Sequence, residues 1–91
     1  MTFNNIKNVI NNKAKLKWAC RRGMLELDLL LEKFLKEAYD DLSEHDKNLF
    51  VQLLNYSDPE LFAWLINRDM PADREMVSLI ERIQHCARPP L

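Results

Sequence analysis

The sequence predicts an all-α fold, a small compact five-helix bundle, on three observations. The 91-residue chain has one glycine, Gly23, and its prolines fall at positions 59, 71, 89 and 90, so long stretches contain no helix breaker. No Asn-Gly or Asp-Gly pair is present to turn a hairpin, and no segment alternates apolar and polar residues long enough for a strand. Apolar residues instead recur at helical spacing between recognisable caps.

The first helix begins at Ile6 or at Asn12 and runs to Cys20, with Ile6, Val9, Ile10, Ala14, Leu16 and Trp18 as an untidy apolar stripe. Asparagine is a poor helix former, which leaves both starts open. The second helix, Met24 to Leu42, puts Met24, Leu27, Leu31, Phe34, Leu35 and Ala38 on one face and Glu26, Lys33, Glu37 and Asp40 on the other. Ser43 with Asp46 resembles a capping box and opens a third helix whose Leu49, Phe50, Leu53 and Leu54 face the core. Asp58 as N-cap with Pro59 at the first helical position opens a short fourth helix through Leu61, Phe62, Trp64, Leu65 and Ile66. Pro71 and Asp73 open the fifth, with Met76, Val77, Ile80 and Ile83 as its stripe. Residues 1–91 are expected to form a single helical domain, with 1–10 a variable extension and 87–91 a flexible tail. Short connections predict sequential helices packed roughly antiparallel.

Length and composition narrow the function. A chain this short buries roughly 60% of the surface its unfolded form exposes, enough for one core but with little room for an enclosed substrate pocket, so a non-enzymatic role is expected. No apolar run reaches the roughly 18 to 20 residues that cross a bilayer, and no signal peptide is evident, so the expected location is the cytoplasm. Cys20 and Cys86 form no CxxC pair and are expected to stay reduced. The net charge of −1 hides an asymmetry: residues 1–23 carry Lys7, Lys13, Lys15, Lys17, Arg21 and Arg22 and no acid, whereas residues 24–60 sum to −7. The sign changes at Arg22-Gly23-Met24, the first place to look for function.

A lone glycine between two helical patterns marks a turn needing positive φ or a close backbone approach. It can be a plain helix C-cap, since bases in a last turn and acids in a first turn are what helix dipoles favour. It can also present an exposed cation from Arg21 and Arg22 and an exposed anion, Glu26, beside a backbone with no Cβ. On that reading Arg22 and Glu26 both tolerate alanine with little loss of helix.

The stretch Trp18-Ala19-Cys20-Arg21-Arg22-Gly23-Met24-Leu25-Glu26-Leu27-Asp28 resembles the signature of the SdhE-type assembly factors, which promote attachment of FAD to the flavoprotein subunit of succinate dehydrogenase. That family carries an Arg-Gly-x-x-Glu motif, matched here by Arg22, Gly23 and Glu26. The resemblance extends through Phe34, the segment from Asp58 to Leu65, and Pro71-Ala72-Asp73, covering about residues 11–86. The segment before Asn11 departs from it, and nothing is carried over onto Met1 to Ile10. The resemblance implies a five-helix bundle, probed above from caps and periodicity alone, and a binding protein with no catalytic residue of its own. In the family the bond joins the 8α carbon of FAD to a histidine of the flavoprotein subunit, with the chemistry done largely by that subunit and its flavin. The implied partner is the flavoprotein subunit of succinate dehydrogenase or of fumarate reductase, and the implied partner-binding residues are Arg21, Arg22, Gly23, Glu26 and Asp28. No cofactor is expected to be held stably by the chain, FAD being acted on in the partner, and the chain is expected to be a monomer.

Three rivals are weaker. Nucleic-acid binding is suggested by the basic segment with Trp18, but the acidic middle opposes a phosphate backbone and Met24 to Leu35 does not read as a recognition helix. A zinc site of Cys20, His45, His85 and Cys86 lacks the paired ligand spacing such sites use. An antitoxin-like regulator would mask a basic partner, yet no toxin-facing feature is distinct from the Arg-Gly-x-x-Glu face. Phe62 and Trp64 read as core rather than as a cofactor platform, and a dinucleotide fingerprint needs three glycines where the chain has one.

Overall fold

Asn12 opens the first helix: its side chain accepts the Lys15 N–H at 3.2 Å, satisfying one of the donors a helix start leaves unpaired. The computed structural model describes residues 12–87, and the alternative start at Ile6, the extension 1–10 and the tail beyond Ala87 lie outside them. Five α-helices follow in order: α1 (Lys13–Ala19), α2 (Leu25–Glu37), α3 (Glu44–Leu53), α4 (Asp58–Leu65) and α5 (Arg74–Ala87). No strand occurs among the described residues. None of their helices is long and apolar enough to cross a membrane.

The second helix stops short of its expected end. It closes at Glu37, and Tyr39–Asp41 forms a single 3-10 turn before Leu42 extends. Residues three apart eclipse in a 3-10 turn, and here that brings both Tyr39 and Leu42 into the core, which a continued α-helix carrying Asp40 and Asp41 would do less well. Tyr39 and Phe34 each pack on Phe50, with ring centroids 5.5 and 5.4 Å apart, so α2, the turn and α3 share one aromatic cluster.

Two caps also differ from expectation. Ser43 Oγ accepts the Asp46 N–H at 3.1 Å, but the Asp46 carboxylate does not return to close a capping box and instead takes Arg82 at 3.0 Å. Ser57, not Asp58, is the N-cap of α4, its hydroxyl accepting the Glu60 N–H, which frees Asp58 for another partner. Asp73 behaves as expected, accepting the Glu75 and Met76 N–H groups at the start of α5.

The end of α4 is unusual. Arg68 adopts φ +64, and the Asp69 N–H reaches back to the Ala63 carbonyl at 2.9 Å. The Trp64 carbonyl accepts from Gln84 of α5 at 2.9 Å, so carbonyls left open by the helix end find partners.

The core is apolar throughout: among the described residues every buried side chain is hydrophobic, from Leu16 and Cys20 to Ile80 and Ile83. Packing is not a simple sequential series. The last helix, α5, packs against α2, α3 and α4. Its stripe gains Leu79, buried beside Met76, Ile80 and Ile83, while Val77 is only half-buried. Trp64 is half-buried and packed on the core, with Tyr56 at its edge.

Candidate partner-docking site

The helix before the turn closes at Cys20, where its apolar pattern ends. Cys20 is the C-cap of α1, and Gly23 lies beyond it in the connection to α2, so its role is not that of a helix C-cap as such. Gly23 has φ +83, the left-handed region where a Cβ is strained. It is exposed, and a Cβ built on it would meet no atom within 4 Å. The demand for glycine is therefore one of backbone conformation, in open space.

The first turn of α2 has no capping side chain at Met24. Asp28, one turn into the helix, instead binds the two amides that precede it. Its Oδ1 accepts the Arg22 N–H at 2.7 Å and its Oδ2 accepts the Gly23 N–H at 3.1 Å, so both carboxylate oxygens clasp the turn. A carboxylate here also suits the positive end of the helix dipole.

Arg22 turns inward, contrary to the expectation that it projects as an exposed cation. Its side chain is 19% exposed. The guanidinium donates through Nη2 to the carbonyl of Leu54, the C-cap residue of α3, and Nη1 lies 3.5 Å from Asp58 Oδ1 at the start of α4. A helix C-terminus with its open carbonyls and a nearby carboxylate make a natural seat for a cation. Its Nε is enclosed and has no hydrogen-bond partner.

The exposed groups around the turn are different residues. Arg21 and Glu26 face solvent, as the sequence reading expected of them. Beside them are three bulky apolar side chains: Trp18 is 71% exposed, Leu25 74% and Leu29 58%. The Arg21 guanidinium sits 5.8 Å from the Trp18 ring centroid, a cation–π contact that steadies both. A single exposed leucine needs no explanation, but here three such residues lie close in sequence around one turn, with only Tyr56 and Met70 of comparable character elsewhere among the described residues.

Leu25 and Leu29 are not among the expected site residues, and Trp18 is expected only in an apolar stripe and beside the basic segment. The signal was there. At about 100° per residue, Trp18 lies about 200° from Leu16, and Leu25 and Leu29 lie about 200° from Leu27 and Leu31. One face cannot bury them all, and α1 buries Leu16 alone.

Other regions offer less. An open groove of about 670 Å³ runs between α2 and α5, lined by Phe34, Ala38, Val77, His85 and Cys86, and shares no residue with the turn. Among the described residues no three His, Cys, Asp or Glu side chains are grouped to hold a metal ion. Cys20 and Cys86 are free thiols; burial pushes Cys20 up to about 12 and also raises Cys86. The basic segment is thinned as a face for nucleic acid, since Lys13 pairs with Asp40 and Arg22 is tethered inside.

Comparison with known proteins agrees with the motif. Residues 14–87 match the family described as flavinator of succinate dehydrogenase. A FAD assembly factor SdhE of Photorhabdus laumondii is 51% identical over 76 residues, covering 84% of this chain and 86% of that protein. Its counterpart in Shewanella oneidensis is 46% identical over 78 residues, covering 86% and 95%, and that of Colwellia psychrerythraea is 53% identical over 72 residues, covering 79% of each.

Proposed function

We propose, from the premise that this chain belongs to the family of succinate dehydrogenase flavinators, that it binds the flavoprotein subunit of succinate dehydrogenase and promotes covalent attachment of FAD to it. The observation that carries this reading is the surface around Gly23, where an exposed backbone turn is flanked by Trp18, Leu25, Leu29, Arg21 and Glu26. Such a surface fits a partner with an apolar recess and a cation opposite Glu26. Bulky side chains entering a recess supply most of an interface's binding energy, and a charge that becomes desolvated and paired gives it register.

The bond forms between the flavin and a histidine of the partner, and no catalytic group is required of this chain. Its contribution is to hold the flavin-binding region of the partner so that the histidine and the isoalloxazine ring are aligned. Fixing two reacting groups in productive geometry can remove several kcal/mol from a barrier, up to about 7 to 11 in well-oriented cases. FAD stays with the partner, in keeping with a chain whose single glycine cannot build a phosphate-cradling loop. The factor acts as a monomer in the cytoplasm, and the related subunit of fumarate reductase is a second client by the same reasoning.

The test is co-expression with the flavoprotein subunit, scored by covalently bound flavin after denaturing electrophoresis and by recovery of the complex. Glu26→Ala and Leu25→Asp should each lower both while the factor stays folded. Wild-type flavinylation and recovery with both variants, at limiting factor, would overturn the reading.

A further inference from the structure

Two half-buried side chains, Asp28 and Arg22, hold the turn of the docking surface. Asp28 holds the Arg22 and Gly23 amides, one with each carboxylate oxygen. Arg22 then carries the same turn to the Leu54 carbonyl and to Asp58, which belongs to α4 and is free for this because Ser57 has taken over the helix cap. The geometry points to Asp28, Arg22 and Asp58 as positioning residues that fix the Gly23 turn for its partner, with Glu26 and the apolar side chains making the contact. This rests on the docking reading above and divides its residues by role.

Two further features favour positioning over a stabilising role alone. The enclosed Nε of Arg22 has no acceptor, so the guanidinium sits where its own hydrogen bonding is incomplete. Half-buried between the Leu54 carbonyl and Asp58, it fixes where the turn lies as well as adding to stability. Gly23, for its part, gains no rigidity from side-chain packing, since nothing lies within 4 Å of where a Cβ would be. Its φ of +83 is one of several conformations open to glycine, and the Asp28 carboxylate is what selects it.

Asp28→Asn keeps one acceptor and turns an N–H donor toward a backbone N–H, so it frees one of the two amides; Asp28→Ala frees both. Asp58→Asn removes the charge from the Arg22 seat while leaving the Ser57 cap in place, and Arg22→Lys loses the forked contact to two acceptors. The experiment measures, at a temperature where each full-length variant is folded, amide hydrogen exchange at Arg22 and Gly23 and the factor concentration giving half-maximal covalent flavinylation of the flavoprotein subunit. Exchange at those two amides should quicken selectively, and the half-maximal concentration should rise about tenfold for Asp28→Ala and less for Asp28→Asn and Asp58→Asn, with the plateau at saturating factor retained. A role in stability alone would lower the melting temperature without moving the half-maximal concentration of the folded protein. Quickened exchange with an unchanged half-maximal concentration, in an assay where Glu26→Ala and Leu25→Asp are impaired, overturns the positioning role and spares the docking reading. Unchanged values for Glu26→Ala and Leu25→Asp as well overturn both.

Discussion

The Nη1 atom of Arg22 lies 3.5 Å from Oδ1 of Asp58, joining the connection after α1 to the first turn of α4. With the Nη2 contact to the Leu54 carbonyl, this makes Arg22 part of the fold as well as part of the motif. Arg22→Ala should therefore destabilise the protein by roughly 1 to 3 kcal/mol, since it strands a half-buried carboxylate and a helix-end carbonyl. Glu26→Ala, at an exposed position, should stay within about 0.5 kcal/mol. Urea midpoints of the two variants measure the contrast, and equal midpoints would contradict it.

Substitution at Gly23 separates conformation from crowding. Any L-residue there meets the cost of left-handed backbone, roughly 1 to 2 kcal/mol, but no clash at its Cβ. Gly23→Asn should be the mildest change because asparagine tolerates this region, and Gly23→Ala should cost more. Gly23→Arg should fold while projecting a long cation from the docking turn, so its flavinylation defect should exceed its loss of thermal stability.

Arg68 pays a similar conformational cost without a glycine. At φ +64 it lies in the connection just after α4, and Arg68→Gly should raise stability by up to about 1 kcal/mol, net of the entropy glycine adds to the unfolded chain. A shift in thermal midpoint of a few degrees upward is the expected result.

Alkaline pH should unfold the protein earlier than surface charge alone implies. Burial pushes the Cys20 thiol from 9.0 to about 12, with Arg22 partly offsetting it, and burial followed by Asp40 pushes Tyr39 from 10.0 to about 12. Both are acids that keep their proton in the fold and lose it on unfolding, so stability is full below about pH 9 and is lost as pH rises toward 12. The slope approaches about 1.4 kcal/mol per pH unit for each group. Urea midpoints at pH 8 and pH 11 check the sign, and Cys20→Ala should flatten the dependence. Under native conditions a thiol reagent should modify the half-buried Cys86 well before Cys20.

Periodicity made most of the fold legible, because helical spacing of Leu27, Leu31, Phe34 and Leu35 is a direct statement of which face is buried. What it could not convey is how a chain leaves a helix. The 3-10 turn at Tyr39 answers to the aromatic cluster around Phe50, a contact made across the fold. The site divides the same way. Glu26 as an exposed anion and Gly23 as a positive-φ turn follow from local sequence, whereas the inward path of Arg22 depends on Leu54 and Asp58, which nothing near Arg22 in the chain announces. Trp18 is hidden by the assumption that apolar residues at helical positions go inside, whereas Leu25 and Leu29 fall off the buried stripe of their helix and stand exposed.

Because α5 packs on α2, α3 and α4, the largest closing contacts of the core are made by its most C-terminal element. During synthesis the earlier helices leave the ribosome before the surface that covers them exists. Stable burial must wait until Met76, Leu79, Ile80 and Ile83 have emerged, so folding of this domain is expected to be a late, concerted event on the nascent chain. In that interval apolar faces of α2 and α4 stand open beside the leucines the finished protein also leaves uncovered. A newborn chain thus displays far more adhesive surface than the mature one, and only closure by α5 narrows it to the patch around Gly23.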